Sequence, residues 1–236
     1  MSDQRTFHLR PTAELAERVL LPGDPGRALE LAQLLLEKPL MFNHHRGLWG
    51  YTGVAIDGQP LSIQSTGMGG PSAAIVLHEL IVLGARRAIR VGTCGALSGE
   101  LALGDLVIAH EAIVADGTSS RLGRSERIAA DMQINQALLR LKPQRQSHAG
   151  AVVSTDLFYE HDAERERDWR AAGALAVEME AATLFSLGER SGIQVGCVLT
   201  VSDTFDGEGA RERISDERLL AAAEAMGRLA LQALAC

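Results

Sequence analysis

Arg18-Val19-Leu20-Leu21-Pro22-Gly23-Asp24-Pro25-Gly26-Arg27 runs from an apolar segment through a glycine- and proline-rich turn into the helical pattern of residues 28–36. The same change recurs where Leu61-Ser62-Ile63-Gln64-Ser65-Thr66 meets Gly67-Met68-Gly69-Gly70-Pro71-Ser72. An apolar helix is expected from there to Leu83, with Pro71 in a first turn that has no use for its missing N–H and Gly84 as the stop. A third apolar run, Ala88 to Val91, enters Gly92-Thr93-Cys94-Gly95, and residues 105–110 read as a further strand with a partner nearby. Residues 195–201 read as another, ending at Ser202-Asp203. Strands that pass through turns into helices predict an α/β fold. The polar stretch 117–127 is expected as a long loop. A last helix over roughly 214–234 is expected to cover the fold, with Leu219, Leu220, Ala223, Met226, Leu229 and Leu231 on its apolar side.

The bulk composition narrows the classes. A chain of 236 residues, 46% hydrophobic, buries a full core as one domain spanning 1–236. Its opening decapeptide is polar and charged, and no apolar run approaches the ~18 residues of a membrane span, so a soluble, cytoplasmic protein is expected. A formal charge of −7 argues against a nucleic-acid surface, so any anionic ligand must be gripped locally. Cys94, Cys197 and Cys236 are odd in number and have no close spacing, which fits reduced thiols better than disulfides or a zinc site.

In open α/β sheets ligands bind beyond the carboxyl ends of strands. The residues there are Gly23 and Arg27, Gly67 to Gly70, Arg90 with Thr93 to Gly95, and Ser202 with Asp203. Glycines that let backbone approach a ligand, arginines, a hydroxyl and a carboxylate suit a small oxyanion beside a polar organic molecule. Each element also has a plainer reading. Gly23-Asp24-Pro25-Gly26 is a good turn by itself, and Gly67 to Pro71 lacks the lysine of a P-loop. Arg90 in an apolar strand is more demanding, because a buried guanidinium requires a bound anion or a structural carboxylate. Glu178 and Glu180 are either first-turn carboxylates favoured by a helix dipole or acceptors for a sugar diol. Asp203 is either a cap or a general acid.

Taken jointly, residues 21–27, 45–53, 65–72, 90–96, 154–159, 177–181 and 201–203 resemble the hexameric purine nucleoside phosphorylase and uridine phosphorylase family over essentially the whole chain. The resemblance implies a three-layer fold with a mixed central β-sheet flanked by helices. It implies a phosphate pocket of Gly23, Arg27, Arg90 and Thr93, with Arg46 reaching in from a neighbouring subunit. Met179 and Glu180 take the ribose, and His8 approaches its 5′-hydroxyl across the same interface. Phe158 packs on the base; Cys94, Gly95, Val177, Glu178 and Ser202 line that pocket, and Asp203 protonates N7 of the leaving purine.

No Gln-x-Arg signature of the uridine enzymes appears in residues 162–170, and Val201-Ser202-Asp203 resembles the purine branch. The implied reaction is phosphate-dependent cleavage of purine ribo- or deoxyribonucleosides, with phosphate as co-substrate and no metal or organic cofactor. The implied assembly is a homohexamer built as a trimer of dimers. Relatives pair the acid with an arginine on the last helix, but residues 204–213 do not align cleanly, which leaves Arg211 and Arg213 as candidates and the choice of 6-amino or 6-oxo purine open. For Asp203 to be an acid, burial or carboxylates such as Glu180 are expected to raise its pKa. Uridine phosphorylase and a hydrolytic nucleosidase on the same fold are the competing readings, the latter having no use for an arginine clamp.

Overall fold

A computed structural model of the chain describes residues 6–123, 126–159, 162–205 and 211–236. Along them run β1 (Arg18–Leu21), α1 (Pro25–Leu35), β2 (Leu36–Asn43), a 3-10 turn (His45–Gly47), β3 (Gly50–Ala55), β4 (Pro60–Gln64), α2 (Gly70–Val82), β5 (Arg87–Ala96) and β6 (Leu106–Ala115). They continue with α3 (Gly117–Arg121), β7 (Arg127–Ala129), α4 (Met132–Arg140), β8 (Ser147–Thr155), α5 (Ala163–Ala171), β9 (Ala174–Glu178), α6 (Ala181–Ser191), β10 (Gln194–Phe205), β11 (Arg211–Arg213) and α7 (Asp216–Ala235).

Among the described residues eleven strands make one mixed sheet in the order β11-β10-β6-β8-β9-β5-β1-β4-β3-β2, with β7 on β6. β10 also pairs with β5, so β10, β6, β8, β9 and β5 close on themselves. Side chains alternate across this sheet and sort into two cores. Val19 and Leu21 of β1 join Val76, Leu80 and Leu184 under α2 and α6, whereas Leu20 joins Leu31, Leu138 and Met226 under α1, α4 and α7. In β5, Ala88 belongs to the first face and Ile89 and Val91 to the second. Helices on both faces of a mixed sheet give the three layers expected.

Two local expectations are corrected. β5 does not stop at Val91, and β10 does not stop at Val201, because the two strands pair with each other as far as Gly95 and Asp203 across a bulge. The stretch 117–127 is not one loop. Asp116 caps α3 by accepting from the Ser119 N–H at 2.7 Å, and Arg127 begins β7 on the edge of β6; residues 124 and 125 lie outside the described part.

Packing of α4 on the sheet depends on Gly196, where an added Cβ would lie 2.3 Å from Ile134 Cγ2. Ile134 is fully buried, so it has little room to withdraw. Gly196→Ala is therefore expected to cost about 1–3 kcal/mol in chemical denaturation. The double variant with Ile134→Ala should be less destabilised than the sum of the two single ones; additive losses would show that the contact is not the cause.

Candidate functional site

Two strand-to-helix turns are zipped together at one end of the sheet. The Thr66 N–H donates to Pro22 O at 2.8 Å and the Gly67 N–H to Gly23 O at 3.0 Å. The approach leaves no space for a side chain at Gly23, whose added Cβ would sit 3.3 Å from Gly67 O, and Gly67 itself has φ of 73°. Asp24 caps α1 by accepting from the Arg27 N–H at 2.7 Å, which sets Arg27 in the first helical turn facing this junction. Its half-buried guanidinium has no hydrogen-bonding partner among the described residues. Burial lowers its pKa, the positive charges of Arg90 and Arg213 lower it further, and Asp24 opposes them.

Arg90 is the centre of the site. It is 3% exposed. Its Nε donates to Glu178 Oε2 at 2.9 Å and its Nη2 forms an ion pair with Glu180 Oε2 at 2.5 Å. Nη1, buried and aimed toward Gly23, has no hydrogen-bonding partner among the described residues. The two carboxylates hold the guanidinium charged, outweighing the desolvation that opposes them. They are not equivalent. Glu178 is saturated: besides Arg90 it accepts from Ser154 Oγ and from the Glu180 and Ala181 N–H groups that open α6. Its carboxylate is thus taken up by Arg90, Ser154 and the start of α6. Glu180 accepts from the Gly69 N–H at 2.5 Å and lies where α6 begins, with a pKa raised by burial and by Glu178 against the pull of Arg90.

Gly95 marks the other half of the site. It is in register with Val177 of β9 on one side and with Asp203 of β10 on the other, and two residues earlier Thr93 faces Thr200. Thr93, Val177 and Met179 are half-buried. The Cys94 side chain instead joins the apolar core under α2 and α6, so that only its backbone belongs to the cleft. Asp203 is 3% exposed; its Oδ2 accepts from Ser202 Oγ at 2.6 Å and its Oδ1 from Arg211 Nε at 2.8 Å, with Arg213 Nη1 at 3.5 Å. Of the two surroundings expected for it, burial or nearby carboxylates, it has the burial, and its charged contacts are arginines. Both arginines come from β11 and not from the last helix; the arginine in the first turn of α7, Arg218, donates to Leu103 O. The Phe158 ring, half-exposed after β8, lies 4.5 Å from Arg211 Cζ. Much of the segment 204–213, from 206 to 210, falls outside the described residues.

A family model described as the phosphorylase superfamily matches residues 17–235. The chain belongs to the phosphorylase superfamily. It is 38% identical over 212 residues to a DeoD-type purine nucleoside phosphorylase of Caldanaerobacter subterraneus subsp. tengcongensis, covering 85% of this chain and 89% of that one. It is 39% identical over 198 residues to the DeoD-type enzyme of Geobacillus kaustophilus, covering 81% and 83%. A guanosine phosphorylase of Halorubrum lacusprofundi is 36% identical over 209 residues, covering 87% and 86%.

Within this phosphorylase superfamily chain, the segments that carry His8 and Arg46 are joined through His45. Glu79 of α2 gathers the strap at residues 7–9 by accepting from the N–H groups of Phe7, His8 and Leu9 and from His8 Nδ1 at 2.8 Å. His45 Nδ1 then meets His8 O at 3.0 Å, which brings the 3-10 turn alongside. Arg46 is exposed with φ of 60°, a left-handed conformation that costs a non-glycine residue energy and that recurs at functional sites. Sequence reasoning missed Ser154 and Glu79, although Ser154 stands in a stretch that carried the resemblance. Among the described residues no three His, Cys, Asp or Glu side chains gather as a metal site, and no helix is long and apolar enough to cross a membrane.

Removing Glu178 strips a buried cation of its best-fixed partner. Glu178→Ala is expected to destabilise the fold by about 3–5 kcal/mol in denaturant titration, and a loss under ~1 kcal/mol would mean that Glu180 alone compensates Arg90. Glu79 yields a pH prediction. Burial pushes its pKa up, but the hydrogen bonds from Leu9, His8 and Phe7 outweigh this and hold it below the usual carboxylate range. A lowered folded pKa adds stability that is present above the unfolded value and disappears as pH falls through the folded one. Stability measured from about pH 7 to about pH 3 should fall on the acid side in the wild type, and more shallowly in Glu79→Gln; identical slopes would exclude Glu79 as a contributor.

Proposed function

We propose that the chain is a purine nucleoside phosphorylase, a pentosyltransferase acting as a single domain over residues 1–236. Inorganic phosphate is its co-substrate, and it needs no metal or organic cofactor. The observation that carries the reading is Arg90 Nη1, buried, directed toward Gly23 and without a hydrogen-bonding partner among the described residues. A hydrolytic nucleosidase would have no use for such a donor, whereas a phosphate oxygen completes it.

In this reading hydrogen phosphate lies between Gly23, Arg27, Arg90 and Thr93, and Glu180 with Met179 holds the ribose beside it. An oxygen of phosphate bonds C1′ as the C1′–N9 bond breaks, and the electron pair of that bond moves into the base. Asp203 gives a proton to N7 and is left as a carboxylate between Arg211 and Arg213, a setting that stabilises it. With the acid reprotonated from solvent, nucleoside and hydrogen phosphate balance to ribose 1-phosphate and neutral base. Glu178 and Ser154 position Arg90 and do not touch substrate.

His8 and Arg46 belong to the site of a second copy. Their joint anchoring through Glu79 and His45, with the flanking Phe7 73% and Met68 86% exposed, supports a symmetric interface that delivers both at once. A hexamer of three such dimers, working in the cytoplasm, is the assembly proposed.

The test is ribose 1-phosphate formation from inosine, adenosine and uridine with and without phosphate. Purine nucleosides are expected to react only when phosphate is present, Asp203→Asn to lose ~10²–10⁴ in turnover, and Arg90→Ala to require far more phosphate. Cleavage independent of phosphate would establish the nucleosidase instead, and preference for uridine the pyrimidine enzyme.

A further inference from the structure

His8 and Arg46, the two groups read above as serving a second copy, sit on segments far apart in sequence, the strap at residues 6–12 and the turn at residues 44–48. Both segments fasten to Asn43, the last residue of β2, which is fully buried. Its Oδ1 accepts from the Arg10 N–H at 2.9 Å and from the His45 N–H at 3.3 Å. Its Nδ2 donates to Leu48 O at 2.5 Å and to His45 O at 3.4 Å. Two N–H groups and two carbonyls are what one primary amide satisfies. A carboxylate of the same size has no donor for the carbonyls, and an apolar side chain serves neither pair.

These bonds bracket Arg46. They fall on the residue before it and on the second residue after it, where Gln64 Nε2 also donates to Leu48 O at 3.0 Å. Arg46 itself has φ of 60°, a conformation that a non-glycine residue keeps only where its surroundings over-determine it. On the strap, Arg10 lies two residues beyond His8, whose ring is held by Glu79 and whose carbonyl meets His45 Nδ1. Shifting the turn against the strap breaks several of these hydrogen bonds at once, and a fully buried amide has no solvent to replace them. An exposed guanidinium and a partly exposed imidazole are therefore kept at a set separation. Phosphate and ribose are ligands of one site, so a fixed separation lets both contacts form without a further ordering cost.

We propose that Asn43 is the positioning residue that delivers Arg46 and His8, as one rigid unit, to the phosphate and the ribose bound in a second copy. The proposal rests on the phosphorylase reading above and on the exchange of these two residues between copies.

The experiment compares Asn43→Ala with the wild type in kcat and phosphate KM with inosine, and in kcat/KM for inosine against 5′-deoxyinosine, which lacks the hydroxyl meant for His8. The variant is expected to raise the phosphate KM at least ~10-fold, the scale of a lost hydrogen bond to a charged group, with a smaller change in kcat. The inosine-to-5′-deoxyinosine ratio should fall at least ~3-fold. A fall in kcat with phosphate KM and ratio unchanged overturns the proposal. Mixed oligomers separate delivery from folding. When Asn43→Ala and Arg90→Ala chains carrying different tags are co-expressed and double-tagged particles purified, sites with intact Arg90 receive Arg46 and His8 from chains with intact Asn43. Part of the activity should then return to the wild-type phosphate KM. A uniformly raised KM in the mixture overturns the proposal, because Asn43 then acts only within its own chain. Should Asn43→Ala fail to fold, His45→Ala, at a partly exposed position, cuts the link to His8 O and takes its place in the same test. If the wild type forms no ribose 1-phosphate, the phosphorylase reading fails, and calorimetric titration of inorganic phosphate judges Asn43 separately. Wild-type affinity regained in the mixed particles supports the assignment; uniformly weak binding there, or no binding by the wild type, refutes it.

Discussion

Arg90 is buried with two of its three nitrogens fixed on carboxylates, and the arrangement of the cleft follows from that one constraint. A guanidinium on the α2/α6 face of a central strand cannot be solvated, so the fold must bring it acceptors. Glu178 is the one that fixes geometry. It is the last residue of β9, and it is pinned by Ser154 of β8 and by the first N–H groups of α6. β5, β8, β9 and α6 therefore meet at a single carboxylate, and the direction of Arg90 is set by groups that never need to move. Glu180, held by the Gly69 N–H, couples the same guanidinium to the turn before α2. The donor left over is the one facing the zipped turns.

Charge balance within a protomer then shapes what the cleft can do. Two carboxylates outnumber Arg90, and Arg27 only restores neutrality, so one protomer by itself offers a dianion hydrogen bonds but little net attraction. A further cation has to come from outside the triad. Arg213 acts on Arg27 electrostatically but is already turned toward Asp203. Arg46 is exposed and held in a left-handed backbone conformation, and in the assembly proposed above a second copy would supply it. The raised pKa of Glu180 tends the same way, since a proton there also removes charge opposed to phosphate.

The turns after β1 and β4, the run of α2 to Leu83 and the strand around Arg90 were legible because glycine, proline and apolar periodicity act locally. The need for an anion or a carboxylate at Arg90 was legible too, since the cost of burying its charge does not depend on the fold. The assignment of Glu178 was not, because two glutamates two residues apart look alike until the strand end and helix start separate them, one turned into the floor and the other into the cleft. α3 was missed because a five-residue helix opening on Gly117 has weak propensity. It stands on Asp116, which also accepts from Thr183, and on Asp156, which accepts from the Gly117 N–H at 2.7 Å. Those partners are distant in sequence. The extension of β5 through Gly92 to Ala96 has the same origin, in strand pairing that no local pattern encodes.

In the reaction proposed for this chain the general acid, Asp203, is flanked by Arg211 and Arg213. What lowers a barrier is an interaction that grows along the path. If, as proposed, Asp203 protonates N7, it becomes an anion in that step and Arg211 and Arg213 gain attraction there. Ser202, bonded to the opposite oxygen, orients the carboxyl without adding charge. The acid is thus built for a product state in which charge has moved from the base to the protein, the mirror image of Arg90, whose carboxylate partners are in place before any ligand arrives.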